Sequence, residues 1–188
     1  MPETCASDGC GWPVAHSFVL PHWRSGFYEV TMRVEDGGGT FTHRGKRTAE
    51  SVLSFVVRSS QPGRDTKILL QLSTNSWAAY NNCTYPPPPL PNTPLVRDSS
   101  ERMRALAVGG FSVYGFHGIN GVQGHKVSFD RPMGTGLYYS WEHFFVVWAE
   151  KNGYVIDYAS NSDLEERPEL LENYELVLSV GHDEYELH

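Results

Sequence analysis

Apolar positions along the chain fall into short runs, and the spacing inside each run decides what it forms. Residues 67–72, Lys-Ile-Leu-Leu-Gln-Leu, are a brief apolar run between polar flanks, and 154–159 and 175–180 repeat the pattern. Such runs predict buried strands. Trp141, Phe144, Phe145 and Trp148 recur at i, i+3, i+4 and i+7, which predicts a helix with an aromatic face toward the core, stopped at Gly153. Ser73, Thr74 and Asn75 can cap a helix over 76–81. Ser162 and Glu165 form a capping-box pair, and Pro168 suits the first turn of a further helix. Earlier in the chain, 16–20, 26–34 and 52–58 read as β segments. Gly37-Gly38-Gly39 marks a turn, and the basic stretch 42–49 extends the hairpin.

These elements predict an α/β chain. An irregular N-terminus at 1–14 precedes a short antiparallel β layer at 15–60. A parallel α/β unit at 61–188 follows, carrying a long Pro/Gly/aromatic-rich loop at 83–136. Strand–helix alternation implies right-handed crossovers. Strand 67–72 is then central, with 154–159 and 175–180 on either side. The arrangement is flavodoxin-like, akin to class I glutamine amidotransferases, and truncated after its third strand. Ligand chemistry belongs at the carboxyl ends of the first and third strands, 73–82 and 181–185.

Charge and composition narrow the partners. The 188 residues carry a formal charge of −7, so no basic footprint for nucleic acid exists. The longest apolar run, 144–149, is too short to cross a bilayer. Three cysteines, Cys5, Cys10 and Cys83, with no secretory leader at Met1, suggest reduced thiols and a cytoplasmic location. The run Pro86–Pro89, with Pro91 and Pro94, imposes an extended segment that serves as a loop wall or as an SH3-type ligand.

Gly181-His182-Asp183-Glu184-Tyr185 is the densest cluster of catalytic residue types. In an extended segment His182 and Glu184 project to one side and Asp183 to the other. Tyr80, at the facing strand end, either enters the same crevice or packs as an ordinary tyrosine. Cys83 as a nucleophile and His117 with His125 as metal ligands are weaker readings.

Five runs in order carry a resemblance. They are Ser25-Gly-Phe-Tyr28, Thr74-Asn-Ser-Trp-Ala-Ala-Tyr80-Asn-Asn, Val127-Ser-Phe-Asp-Arg-Pro132, Trp148-Ala-Glu-Lys-Asn-Gly-Tyr154-Val-Ile-Asp-Tyr158, and Pro168-Glu-Leu-Leu with Leu178-Ser-Val-Gly-His-Asp-Glu-Tyr185. From about residue 12 to 185 the chain resembles the large (beta) subunit of N,N-dimethylformamidase, in its C-terminal catalytic portion. The resemblance implies an amidohydrolase with a mononuclear Fe(III) held by two tyrosines and a glutamate. By motif these ligands are Tyr28, Tyr80 and Glu184, with His182 beside them as a catalytic residue. Hard oxygen donors of this kind suit ferric iron.

The implied reaction is hydrolysis of the C–N bond of a small amide. Phe111, Tyr114, Phe116 and Tyr138 are candidates to wall an apolar substrate pocket. Family chains continue past His-Asp-Glu-Tyr, so a homo-oligomer or a small partner subunit is expected to complete the fold. Two other readings stand beside this one: a truncated, non-catalytic metal-binding or assembly module, and a metal-free thiol amidotransferase. The latter needs a cysteine at a strand-to-helix elbow, and none is present there.

Overall fold

A computed structural model describes residues 5–36, 47–81, 126–131 and 136–185. The elements run α1 Cys5–Asp8, β1 Gly26–Asp36, β2 Arg47–Val57, β3 Ile68–Leu72, α2 Thr74–Tyr80, α3 Gly136–Ser140, α4 Glu142–Lys151, β4 Asp157–Ser160, α5 Asn161–Glu166, a 3₁₀ turn Pro168–Asn173, and β5 Leu176–Ser179. Two sheets result. β1 and β2 pair antiparallel, from Gly26 opposite Val57 to Asp36 opposite Arg47. β3 is the middle strand of a parallel sheet of order β4-β3-β5. The sequence reading of strand order therefore holds, and an antiparallel sheet precedes a parallel one along the chain. Residues 16–20 form no strand and lie exposed, so the first expected β segment is withdrawn.

The core sits over β3, where Leu69, Leu70 and Leu72 are buried, which puts apolar side chains on both faces of the strand. Leu70, Leu72, Trp77, Tyr138, Val146, Ala149, Ile156 and Tyr158 cluster there, and Phe27 from β1 packs against them. Phe27 stacks on Tyr138 at 3.9 Å and meets Trp77 edge-on at 6.0 Å. Tyr138 is thus a core aromatic, 6% exposed, and not a pocket wall. The other proposed wall residues, Phe111, Tyr114 and Phe116, lie outside the described residues, as do Cys83, the proline run, His117 and His125.

Helix α4 overturns a second expectation. Its inward residues are Glu142, Val146 and Ala149, while Trp141, Phe144 and Trp148 are 43%, 68% and 54% exposed. The buried stripe lies about a third of a turn round the helix from the aromatic one. Of the predicted face only Phe145 packs on the core. Trp148 instead stacks on Tyr154 at 5.6 Å, on the outer surface.

At the N-terminus, Cys5 and Cys10 are joined in a disulfide, which corrects the reading of reduced thiols. The physical reason is local. One turn of α1 ends at Gly9, whose φ of 91° reverses the chain and brings the two Cα atoms to 4.3 Å. The thiol argument for a cytoplasmic location goes with it. Among the described residues no helix is long and apolar enough to cross a membrane.

Candidate functional site

The carboxyl end of β3 delivers the chain into α2 through Ser73, which is fully buried. Along α2 the small or apolar Ser76, Trp77, Ala78 and Ala79 turn inward. That leaves Tyr80, the last helical residue, half-buried at the surface. The loop after β5 comes alongside and is pinned to α2 at two points. The Glu184 N–H donates to Ser76 Oγ at 3.0 Å, and the Asn75 side-chain amide donates to the Tyr185 carbonyl at 3.0 Å.

Asn161, at the start of α5, ties three elements together. Its Oδ1 accepts from the Asn75 N–H at 3.0 Å, and its Nδ2 donates to Asp183 Oδ1 at 3.2 Å. Asp183 also accepts from Ser179 Oγ at 3.0 Å and from the Gln71 side-chain amide. As its alternation with His182 and Glu184 requires, Asp183 faces back into the sheet, where it anchors the loop.

On the opposite side of that loop three predicted residues meet. Tyr80 Oη donates to Glu184 Oε2 at 2.6 Å, and His182 Nδ1 lies 2.9 Å from Glu184 Oε1. The Tyr80 hydroxyl and then the His182 ring hold the Glu184 carboxyl below its ordinary range. Glu184 is therefore ionised at neutral pH and can only accept. It follows that His182 Nδ1 carries the hydrogen, and the lone pair of the neutral ring sits on Nε2. His182 and Glu184 side chains are 54% and 45% exposed, so a small molecule reaches them directly. A cavity of about 840 Å³ lined by Trp23, Arg58 and Arg167 lies elsewhere, against β2, and contains none of the three.

Tyr28 is not brought to this group. Neighbouring residues of β1 alternate faces, and Phe27 takes the core side. Tyr28 therefore points the other way, with its ring 4.7 Å from Trp23 and 5.9 Å from Phe55. Its hydroxyl donates to the Arg24 carbonyl at 2.9 Å.

The fit of a hard cation can be judged from these donors. Two cis oxygens on a small hard cation, bonded at about 2.0–2.1 Å, stand roughly 2.8–3.0 Å apart. The Tyr80–Glu184 pair, at 2.6 Å, is near that spacing. Among the described residues no group of three or more His, Cys, Asp and Glu is placed to hold a metal ion.

One further acid was missed by sequence reasoning. Glu142 is 1% exposed, and its Oε2 has no hydrogen-bond partner. Burial pushes its carboxyl up to about 7, against the opposing pull of its own N–H, the Ser73 N–H and Trp77. Nothing in the hydrophobic pattern marks it, because that pattern assigns position 142 to the flank of an aromatic stripe.

A family model described as N,N-dimethylformamidase beta subunit-like, C-terminal, matches residues 1–187. The chain is 28% identical over 204 residues to the N,N-dimethylformamidase beta subunit of Alcaligenes sp, covering 98% of this chain and 25% of that protein. The N,N-dimethylformamidase beta subunit of Paracoccus aminophilus gives the same identity and coverage, 28% over 204 residues, 98% of this chain and 25% of its own length. The chain spans about a quarter of the length of the curated relatives it matches. With a match over nearly every residue, the chain belongs to the N,N-dimethylformamidase beta subunit-like, C-terminal family.

Proposed function

We propose that Tyr80, His182 and Glu184 are the working residues of an amidohydrolase acting on the C–N bond of a small amide resembling N,N-dimethylformamide. The observation that carries this reading is their convergence at the carboxyl ends of β3 and β5, in a chain whose relatives are named for that reaction. We propose Fe(III) as the cofactor, held by Tyr80 and Glu184. Tyr28 joins as third ligand only if it gives up its hydrogen bond to the Arg24 carbonyl. When bound, the ion supplies Lewis-acid polarisation of the substrate carbonyl and makes hydroxide accessible near neutral pH.

The remaining chemistry belongs to the protein. Glu184 fixes the His182 ring through Nδ1–H, leaving Nε2 free to accept a proton from the attacking water. As the C–N bond breaks, the same Nε2–H returns that proton to the departing amine nitrogen. One water is consumed, and a carboxylic acid and an amine are released. The relatives' names describe a beta subunit, and we propose that the chain works within an assembly, with further copies or a smaller subunit beside it.

The test is dimethylamine release from N,N-dimethylformamide by the iron-loaded protein. His182→Ala is predicted to lower kcat by about 10²–10⁴-fold while iron content stays at the wild-type level. A His182→Ala rate equal to wild type removes His182 from the mechanism. Iron loss as severe as in Glu184→Ala makes it a ligand instead.

A further inference from the structure

We propose that Trp141 is a positioning residue for His182: wedged on Gly181 and edge-on to the imidazole, it fixes the ring so that Nδ1 meets Glu184 and Nε2 faces the substrate side. Two contacts place it there. A Cβ on Gly181 would stand 2.7 Å from Trp141 Cβ and 2.8 Å from Cγ, so the loop lies directly on the Trp141 side chain. Gly181 has φ of 91°, which favours glycine as well. The Trp141 and His182 ring centroids are 5.0 Å apart with an interplanar angle of 75°, an edge-to-face contact. Tyr80 stands on the imidazole at 6.4 Å, so the ring has aromatic neighbours from two elements.

Trp141 is itself held. Its N–H donates to the Tyr138 carbonyl at 3.3 Å, and the next residue, Glu142, is buried under the end of β3. The anchor thus runs from the core through Glu142 and Trp141 to His182. A core role alone does not account for an indole that remains 43% exposed. The Glu184 hydrogen bond alone does not select the ring orientation, because a histidine whose side chain is 54% exposed can turn about χ2 and present Nε2 to the same carboxylate. The catalytic part of this inference rests on the amidohydrolase reading; the structural part does not.

The experiment is ¹⁵N NMR of the metal-free protein with labelled histidine, at a pH where the imidazole is neutral, alongside dimethylamine release by the iron-loaded protein. In the wild type, His182 is expected as the Nδ1–H tautomer. Trp141→Ala and Trp141→Leu are expected to shift it toward the Nε2–H form and to lower kcat by about 10²-fold, with KM little changed. Trp141→Phe, which restores a ring edge, is expected to recover both. Leucine fills the space without a ring, so the Leu and Phe variants decide the matter if the alanine variant fails to fold. A wild-type tautomer in folded Trp141→Leu overturns the proposal. Absence of hydrolysis in the wild type overturns the functional reading alone, since the tautomer comparison still tests the positioning.

Discussion

Glu142 makes the fold sensitive to pH at a single residue. Its folded-state value of about 7 lies above the ordinary 4.5. From about pH 4.5 to 7 the unfolded chain has released this proton and the folded chain has kept it. The group's contribution is therefore full below pH 4.5 and is lost as pH rises through 7, a total of about 3 kcal/mol. Glu142→Gln is predicted to flatten that slope, so that stability falls less between pH 5 and pH 8 than in the wild type. Denaturant unfolding at a series of pH values measures it, and superimposable profiles would contradict the assignment. His182 and Glu184 were legible in the sequence because residues two apart in an extended loop share a side. Glu142 was not, because its burial depends on how α4 is rotated. The face of β1 that carries Tyr28 was equally hidden, since alternation fixes opposition between Phe27 and Tyr28 and leaves open which of them meets the core.

At the scale of elements, α5 shows how a local signal can be right in kind and shifted in place. Ser160 caps this helix: its Oγ accepts from the Asp163 N–H at 3.2 Å, and Asp163 Oδ2 accepts from the Ser160 N–H at 2.9 Å. The sequence contains two overlapping boxes, Ser160 with Asp163 and Ser162 with Glu165. β4 decides between them by keeping Ser160 extended at its end. Asp163 also pairs with Arg58 at 3.1 Å, which links the parallel sheet to the segment after β2. Ser160→Ala is predicted to cost about 1 kcal/mol in denaturant unfolding with no change in the geometry of Tyr80, His182 and Glu184. A loss below a few tenths would show that the cap is satisfied by solvent instead. The aromatic stripe of α4 misled for a different reason. Periodicity reports that one face is apolar, whereas burial depends on what the rest of the molecule places against it.

For the whole molecule, the strand order was legible because three short apolar runs separated by helical patterns allow few right-handed parallel arrangements. What covers the sheet was not. Phe144, Trp148, Val155, Leu176 and Val177 are all more than 40% exposed, and among the described residues β5 pairs only with β3. Apolar surface and a free strand edge of this kind favour association. Sedimentation at rising concentration is predicted to show mass increasing beyond the 21.1 kDa chain. A monomer persisting from nanomolar to high micromolar concentration would show that these surfaces are stable in water. The Cys5–Cys10 disulfide was illegible for its own reason, since an odd cysteine count carries no geometry and the Gly9 reversal does.

Tyr80 and Glu184 share one site, and the visible absorption spectrum of the iron-loaded protein shows whether they share an iron. Tyrosinate on ferric iron gives a charge-transfer band. That band is predicted in the wild type, with its loss or strong weakening in Tyr80→Phe while far-UV circular dichroism is unchanged. Tyr28→Phe, run beside it, reports whether the second tyrosine joins the site. A colourless, iron-free wild type that hydrolyses N,N-dimethylformamide at full rate, or a Tyr80→Phe spectrum identical to wild type, would contradict the proposed centre.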